Sequence, residues 1–490
     1  MQGYEDVSVL CVPSMYLQPY FSQLTEWVHG KEGRFLVILE ESQGLDFFPS
    51  YKGPIRSYRL TDPIGEVFTS IAWEYVFLSI TLWLPDASVW EHSQVFDRSI
   101  LGVHLVASET QDFYAKAIYN TCINAGRLPH LDSLARLEGF FKDVPAIICG
   151  AGPSLSGQME LLTSLASKAL IFAGGASISA LSSGGVPFHL AGGVDPAPDE
   201  NRCIPVIASD VPFFYQTRFS SDILAQFRGI KIPVPMAHAG AFDRWFARES
   251  DETMELDGGW TVATFMTSVA TFLGCSPIIF VGMDFGFTED MYARQVCCHQ
   301  KPLTGHIRQT EAGMQTKTDW IMASLWLSEW VEVHPNTCFI NTSDLHSLSH
   351  ARAMSLADAA QSYLHREYNM TAEVEKMIQL AGAGAGSDKP KQAGIRFEQS
   401  LQRARDYIQG MLALYEKQYP NDPSGKAEFV LFQHELEEEI FYQTVIEPVW
   451  LVWQKVFIRT RGIDLHNHLL HQILFFHKIL NEHKELIASI

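Results

Sequence analysis

Asp195 and Asp284 are two carboxylates placed where an enzyme could use them. Asp195 follows the apolar run Pro187–Gly192 (PFHLAG) through Gly193-Val194, and Asp284 follows Pro277–Val281 (PIIFV) through Gly282-Met283. A carboxylate just past the carboxyl end of a parallel strand lies on the edge where α/β proteins bind ligands. There Asp195 would accept a sugar or ribose hydroxyl or coordinate a cation, although an Asp before proline is also an ordinary turn residue. A third feature is the stretch VPAIICGAGPSL, Val144–Leu155. Ala146–Cys149 reads as a buried strand, and Gly150 and Gly152 allow a tight turn close to a ligand. Pro153 suits the first turn of a helix, and Ser154 adds a hydroxyl there. Strand, glycine turn and helix start together would hold a phosphate through free N–H groups and the helix dipole. The same pattern also serves as a plain strand-to-helix connection.

Two more strand ends repeat the pattern. Ala169–Ala173 (ALIFA) runs into Gly174-Gly175-Ala176-Ser177, and Cys338–Ile340 runs into Asn341-Thr342-Ser343. Gly150, Gly152, Pro153, Ser154, Gly175, Ser177, Asp195, Asp284, Asn341 and Thr342 would thus face one crevice. That recurrence points to a nucleotide-like or phosphorylated ligand. Between Phe287 and Thr318 lies a loop with little periodicity, of a length usually functional or disordered. It carries Tyr292, Arg294, His299, Lys301, His306, Arg308 and Lys317, donors and cations that suit an anionic substrate. Cys297-Cys298-His299 has the look of a metal clip but no second Cys or His element matches it, so no metal site is read. The histidines of the last helix (His466, His468, His471, His477, His483) lack a matching carboxylate and are read as packing or surface groups.

The elements that must position these residues form an α/β pattern. Residues 1–135 read as an N-terminal α/β domain, with strands Val7–Val12 and Arg34–Glu40 around the amphipathic Tyr16–His29. Ala72–Leu84 reads as a buried helix or two strands, and Glu109–Ala125 as a helix with Phe113, Ala117, Ile118 and Cys122 on one face. No glycine fingerprint follows the first strand, so a scaffold or partner-binding role is expected there. Residues 136–360 form the central domain, a Rossmann-like, mostly parallel sheet. In it Asp257 is the expected N-cap of a helix whose apolar face is Val262, Phe265, Met266, Val269 and Phe272. Residues 361–490 read as a helical C-terminal domain, with Ala381–Gly394 as a Gly/Ala-rich linker and Arg396–Lys417, Lys426–Phe457 and Asp464–Ile487 as helices.

Bulk properties narrow the functions. A chain of 490 residues suggests about three domains. Its net charge of −20 argues against a general nucleic-acid binder and against docking on an anionic membrane. An acidic protein that binds a phosphorylated ligand must create positive potential locally. The start MQGYEDVSVL lacks a basic region followed by an apolar core, and no apolar run is long enough to span a bilayer. The eight cysteines are scattered through apolar contexts, which suits a reducing compartment. A cytoplasmic location is the expectation.

The central motifs resemble a known family. PAIICGAGPSL, the VDP after the third strand, GGWTVATFMTSVATFLGCSPIIFVGMDFGFT and TKTDWIMASLWLSEWVE leading to FINTS look like the motility accessory factor (Maf-type) proteins. Those share a domain, once called DUF115, with the 6-hydroxymethylpterin diphosphokinases (MptE-like). The likeness covers about residues 140–360 and is collinear.

The resemblance implies a protein glycosyltransferase. It would move a nonulosonic, sialic-acid-like sugar from a CMP-activated donor to protein Ser or Thr. Gly150, Gly152, Pro153 and Ser154 would then line the CMP phosphate and ribose, Asp195 would sit near the nucleotide, and Asp284 near the reaction centre. Such a transfer needs a base for the acceptor hydroxyl and a group that stabilises the departing phosphate. His299 or His306 would be the base, and Tyr292, Arg294 or Arg308 would serve the leaving group. That reaction requires no cofactor. The partners implied are a nucleotide or nucleotide-sugar and a protein acceptor, with no nucleic acid and no membrane span. Two alternatives remain. A diphosphokinase-like transferase would use ATP with Mg²⁺ on Asp195 and Asp284. A non-catalytic nucleotide-sugar-binding adaptor would use its terminal domains as partner surfaces. The chain departs from the family at Asp344-Leu345-His346, where a Gly-rich acidic stretch is usual, and at Met283, where relatives carry a polar residue.

Overall fold

The computed structural model describes residues 3–41, 53–85, 88–127, 134–207, 209–236, 240–251, 254–287, 308–309, 313–344, 348–382, 387–416, 423–461 and 465–483. By contacts the chain separates into two compact units, Met1–Asp112 with Glu447–Gln472, and Phe113–Ile446 with Ile473–Ile490.

In the first unit β1 (Val9–Pro13), β2 (Phe35–Glu40), β3 (Ile55–Arg59) and β4 (Ile80–Leu82) form a parallel sheet in the order β3-β2-β1-β4. Side chains alternate between its two faces. Val9, Cys11, Val37 and Leu39 pack with Phe68, Ile71, Trp90 and Phe96. Leu10, Val12, Leu36 and Ile38 pack with Leu17, Leu24 and Trp27. Ala72–Leu84 is neither one helix nor two strands. Helix Ile64–Glu74 ends within it, Phe77 turns the chain at φ 65°, and β4 follows. Helix Glu447–Arg461 returns to this unit and packs on Ile64–Glu74.

The second unit holds the central sheet. Its strands are β5 (Ala146–Cys149), β6 (Leu170–Gly174), β7 (Leu190–Gly193), β8 (Phe213–Gln216), β9 (Lys231–Val234), β10 (Ile278–Val281), β13 (Phe339–Asn341) and β14 (Arg352–Ala353). The order is β14-β13-β10-β5-β6-β7-β8-β9, and every neighbouring pair is parallel. Both faces are covered, which is why the strands read as unbroken apolar runs. Ile148, Phe172 and Phe280 lie under Phe265, Val269 and Trp326. Ile147, Ile171 and Ile279 lie over Leu162, Ile178 and Leu356. Sequence patterning left β8 and β9 unread. β9 contains Pro233, which an edge strand tolerates, and β9 is an edge. A small antiparallel pair, β11 (Arg308–Gln309) and β12 (Gln315–Thr316), precedes helix Thr318–Val333.

The Gly/Ala-rich segment Ala381–Gly394 is helical at both ends, while residues 383–386 lie outside the described ones. Helix Met370–Gly382 runs through its start, and helix Lys389–Glu416 begins before its end, with Ala393 and Gly394 buried. Helix Ser93–Arg127 is longer than the expected Glu109–Ala125, and the boundary between the two units falls within it.

Candidate functional site

The strand order reverses between β5 and β10: from β5 the chain steps outward to β9, then returns to β10 on the other side of β5. In open α/β sheets, ligands bind outside the carboxyl ends of the strands at such a switch point. Here the two turns that leave those strands are built against each other. The Gly150 N–H donates to the Val281 carbonyl at 2.8 Å and the Gly152 N–H to the Gly282 carbonyl at 2.9 Å. A methyl group on Gly152 would lie 2.7 Å from both the Gly282 oxygen and Asp284 Cγ. Gly282 itself adopts φ +69°. The glycines therefore allow two turns to touch. This corrects the expectation of free N–H groups in the turn. The N–H groups of Gly150, Gly152, Ser154 and Leu155 all have intramolecular acceptors. The helix expected at Pro153 starts as a 3₁₀ turn, Pro153–Gln158, before Met159–Leu165.

Asp284 is fully buried. Its Oδ2 accepts the Ser154 N–H at 2.7 Å, and its Oδ1 accepts the Ser154 hydroxyl at 2.7 Å and the Ser343 hydroxyl at 2.5 Å. One charged group thus ties the ends of β5 and β13 to that of β10 through charge-assisted hydrogen bonds. Thr342 donates its hydroxyl to the Phe280 carbonyl at 2.7 Å, and buried Asn341 accepts the Ser343 N–H at 3.2 Å.

The β6 turn is also internally capped. The Ser177 hydroxyl accepts the Gly174 N–H at 2.9 Å and donates to the Gly174 carbonyl at 3.0 Å, and Ser177 is buried. Gly175 takes φ +55° beneath Val262, the first residue of helix Val262–Phe272. Thr261, not Asp257, caps that helix, in a reciprocal box with Thr264. Asp257 instead accepts the Gly259 N–H at 3.0 Å and the Trp326 indole N–H at 2.9 Å.

Of the expected carboxylates, Asp195 is the exposed one. Sequence reasoning missed the residues that hold its loop, Asn120 and Asn124. Both are buried on helix Ser93–Arg127, and their side chains bond the chain after β7 and β8. Two asparagines one helical turn apart, next to an apolar stripe, were the available signal. Tyr292, His299 and His306 lie outside the described residues, as do Arg294, Lys301, Cys297 and Cys298. Lys317 is described, with its ammonium 5.1 Å from the centre of the Trp320 ring.

Burial makes the thiols near this edge poor nucleophiles: it pushes Cys149 up to about 12, and Cys203 up to about 12 with the charge of Asp195 adding to it. Burial pulls His189 down to about 4, and its Nδ1 accepts the Ile171 N–H at 2.9 Å. Among the described residues, no three His, Cys, Asp or Glu side chains are grouped to hold a metal ion, and no helix is long and apolar enough to cross a membrane.

Residues 119–290 match the family model described as 6-hydroxymethylpterin diphosphokinase MptE-like, so the resemblance seen in the motifs holds over β5–β10. No curated protein matches the chain. Among solved structures, the MAf glycosyltransferase from Magnetospirillum magneticum AMB-1 is similar, with a TM-score of 0.53 and 13% identity. The alignment covers 98% of this chain and 78% of that one. At that identity the likeness is one of fold.

Proposed function

We propose that the central sheet binds the nucleotide of an activated sugar and that the protein is a Maf-type glycosyltransferase. The donor would be a CMP-activated nonulosonic acid and the acceptor a protein Ser or Thr hydroxyl. The observation that carries this reading is the switch point between β5 and β10, with small residues at the adjoining strand ends and Asp195 exposed at β7. The MptE-like match across the same strands and the fold shared with a MAf glycosyltransferase support it.

In this reading the acceptor oxygen attacks the anomeric carbon, its proton passes to a base, and CMP leaves with the electrons of the broken bond. His299 or His306 would be that base, and Tyr292 would stabilise the departing phosphate. Asp284 would position the turns, because all three of its hydrogen bonds go to protein donors in a buried setting. The same burial argues against the diphosphokinase alternative, in which Asp284 and Asp195 share Mg²⁺.

Thermal denaturation with added nucleotide tests the reading. A ligand at a hundred times its Kd adds about 2.7 kcal/mol to the folded state. CMP or CTP is expected to raise the melting temperature. A shift with ATP and Mg²⁺ alone would favour diphosphate transfer, and no shift with any nucleotide would remove both enzyme readings.

A further inference from the structure

The chain around Asp195 is held at three successive carbonyl groups. Val194 O accepts Arg218 Nε at 3.3 Å, Asp195 O accepts the Ser220 N–H at 3.3 Å, and Pro196 O accepts Asn120 Nδ2 at 2.9 Å. Asn120 also holds the source of the other two donors. Its Nδ2 gives a second bond to the Arg218 carbonyl at 3.0 Å, and its Oδ1 accepts both the N–H and the hydroxyl of Ser221 at 3.1 Å. Asn124, one turn along, gives its two amide hydrogens to Thr217 O and Phe219 O, each at 2.9 Å. Asn120 is fully buried and uses both donor hydrogens and its acceptor oxygen.

The result is an exposed carboxylate on a backbone held at three successive carbonyl groups. A carboxylate that must meet a ligand hydroxyl at hydrogen-bond distance needs such bracing, because a looser first contact loses affinity.

We infer that Asn120 is a positioning residue for Asp195, and that Asp195 is the acceptor for a hydroxyl of the bound nucleotide or sugar. Asn120 never reaches the ligand. It ties the β7 and β8 loops together, so that the backbone carrying the Asp195 carboxylate is held in place. This rests on the nucleotide-binding reading above.

A double-mutant cycle on the full chain tests it, with CMP as the probe in calorimetric titration and circular dichroism as the folding control. Asp195→Asn and Asn120→Ala are each expected to weaken CMP binding on the order of tenfold. If Asn120 acts through Asp195, the double variant binds no worse than Asp195→Asn alone. Asn124→Ala, which loosens the same β8 loop without touching Pro196, is expected to cost less affinity than Asn120→Ala. Should Asn120→Ala not fold, Asn120→Ser, which keeps a small polar group there, takes its place in the cycle. Multiplying effects, or an Asn120 variant that binds CMP like the wild type, would overturn the inference while leaving the nucleotide reading intact. A wild-type chain with no affinity for CMP would overturn both.

Discussion

Ser154 gives Asp284 both of its hydrogen-bond donors, the backbone N–H to one carboxylate oxygen and the hydroxyl to the other, each at 2.7 Å. The pair spans 130 residues of sequence and closes the turn after β5 onto the turn after β10. Asp284 is therefore the brace of the switch point.

Asp284→Ala would leave the buried Ser343 hydroxyl and the half-buried N–H and hydroxyl of Ser154 without their acceptor. An unsatisfied buried donor costs about 1–3 kcal/mol, so a loss in that range is expected, with water taking up part of the demand at Ser154. Hydrogen exchange should show lost protection at the Ser154 amide first. A variant as well protected as the wild type, with ligand binding alone abolished, would instead make Asp284 a ligand contact.

Gly152→Ala would drive a methyl group into Asp284 and the Gly282 carbonyl. Overpacking of this kind costs about 1–3 kcal/mol. Gly157→Ala is the matched control, since nothing lies within 4 Å of a methyl group there. Melting temperatures of the two variants should separate clearly, with Gly157→Ala close to the wild type.

Acid should weaken the second unit through His189. Its folded-state value of about 4 lies below the usual 6.5, so the unfolded chain binds the extra proton first. The stability is fully present above about pH 6.5 and is lost as pH falls toward 4. At pH 5 the loss from this one group is about 2 kcal/mol. Buried His483, also pulled down to about 4, acts in the same direction. Denaturant titrations at pH 7 and pH 5 should show the drop, and it should be smaller in His189→Gln.

Thr261→Ala removes the side-chain cap of helix Val262–Phe272 and is expected to cost about 1 kcal/mol. Asp257→Ala should leave that cap intact and free the Trp326 indole, so its signature is a change in tryptophan fluorescence. A larger helix-cap effect at Asp257 than at Thr261 would contradict this assignment.

The strands of the central sheet were legible because Ala146–Cys149, Leu170–Gly174 and Ile278–Val281 are continuous apolar runs closed by glycine, as buried parallel strands must be. What the glycines do was not legible. Gly150 and Gly152 have the composition of a ligand turn, yet their neighbour is another turn of the same chain, reached only through a sheet order that no local pattern encodes. Asp284 reads as a strand-end carboxylate, and one of its three hydrogen bonds comes from Ser343, 59 residues away. Asp257 has the residue type of an N-cap, but the helix begins only at Val262 and Thr261 caps it. Asn120 is one polar residue on a helix, and its worth lies in loops 76 and 98 residues further on.

The first unit is completed by Glu447–Gln472, which the chain supplies only in its last tenth. During synthesis, the first 112 residues must therefore wait for almost the whole second unit to emerge before helix Glu447–Arg461 can cover Ile64–Glu74. A chain halted near residue 440 would carry a complete set of β1–β4 strands with one of the helices of their unit missing.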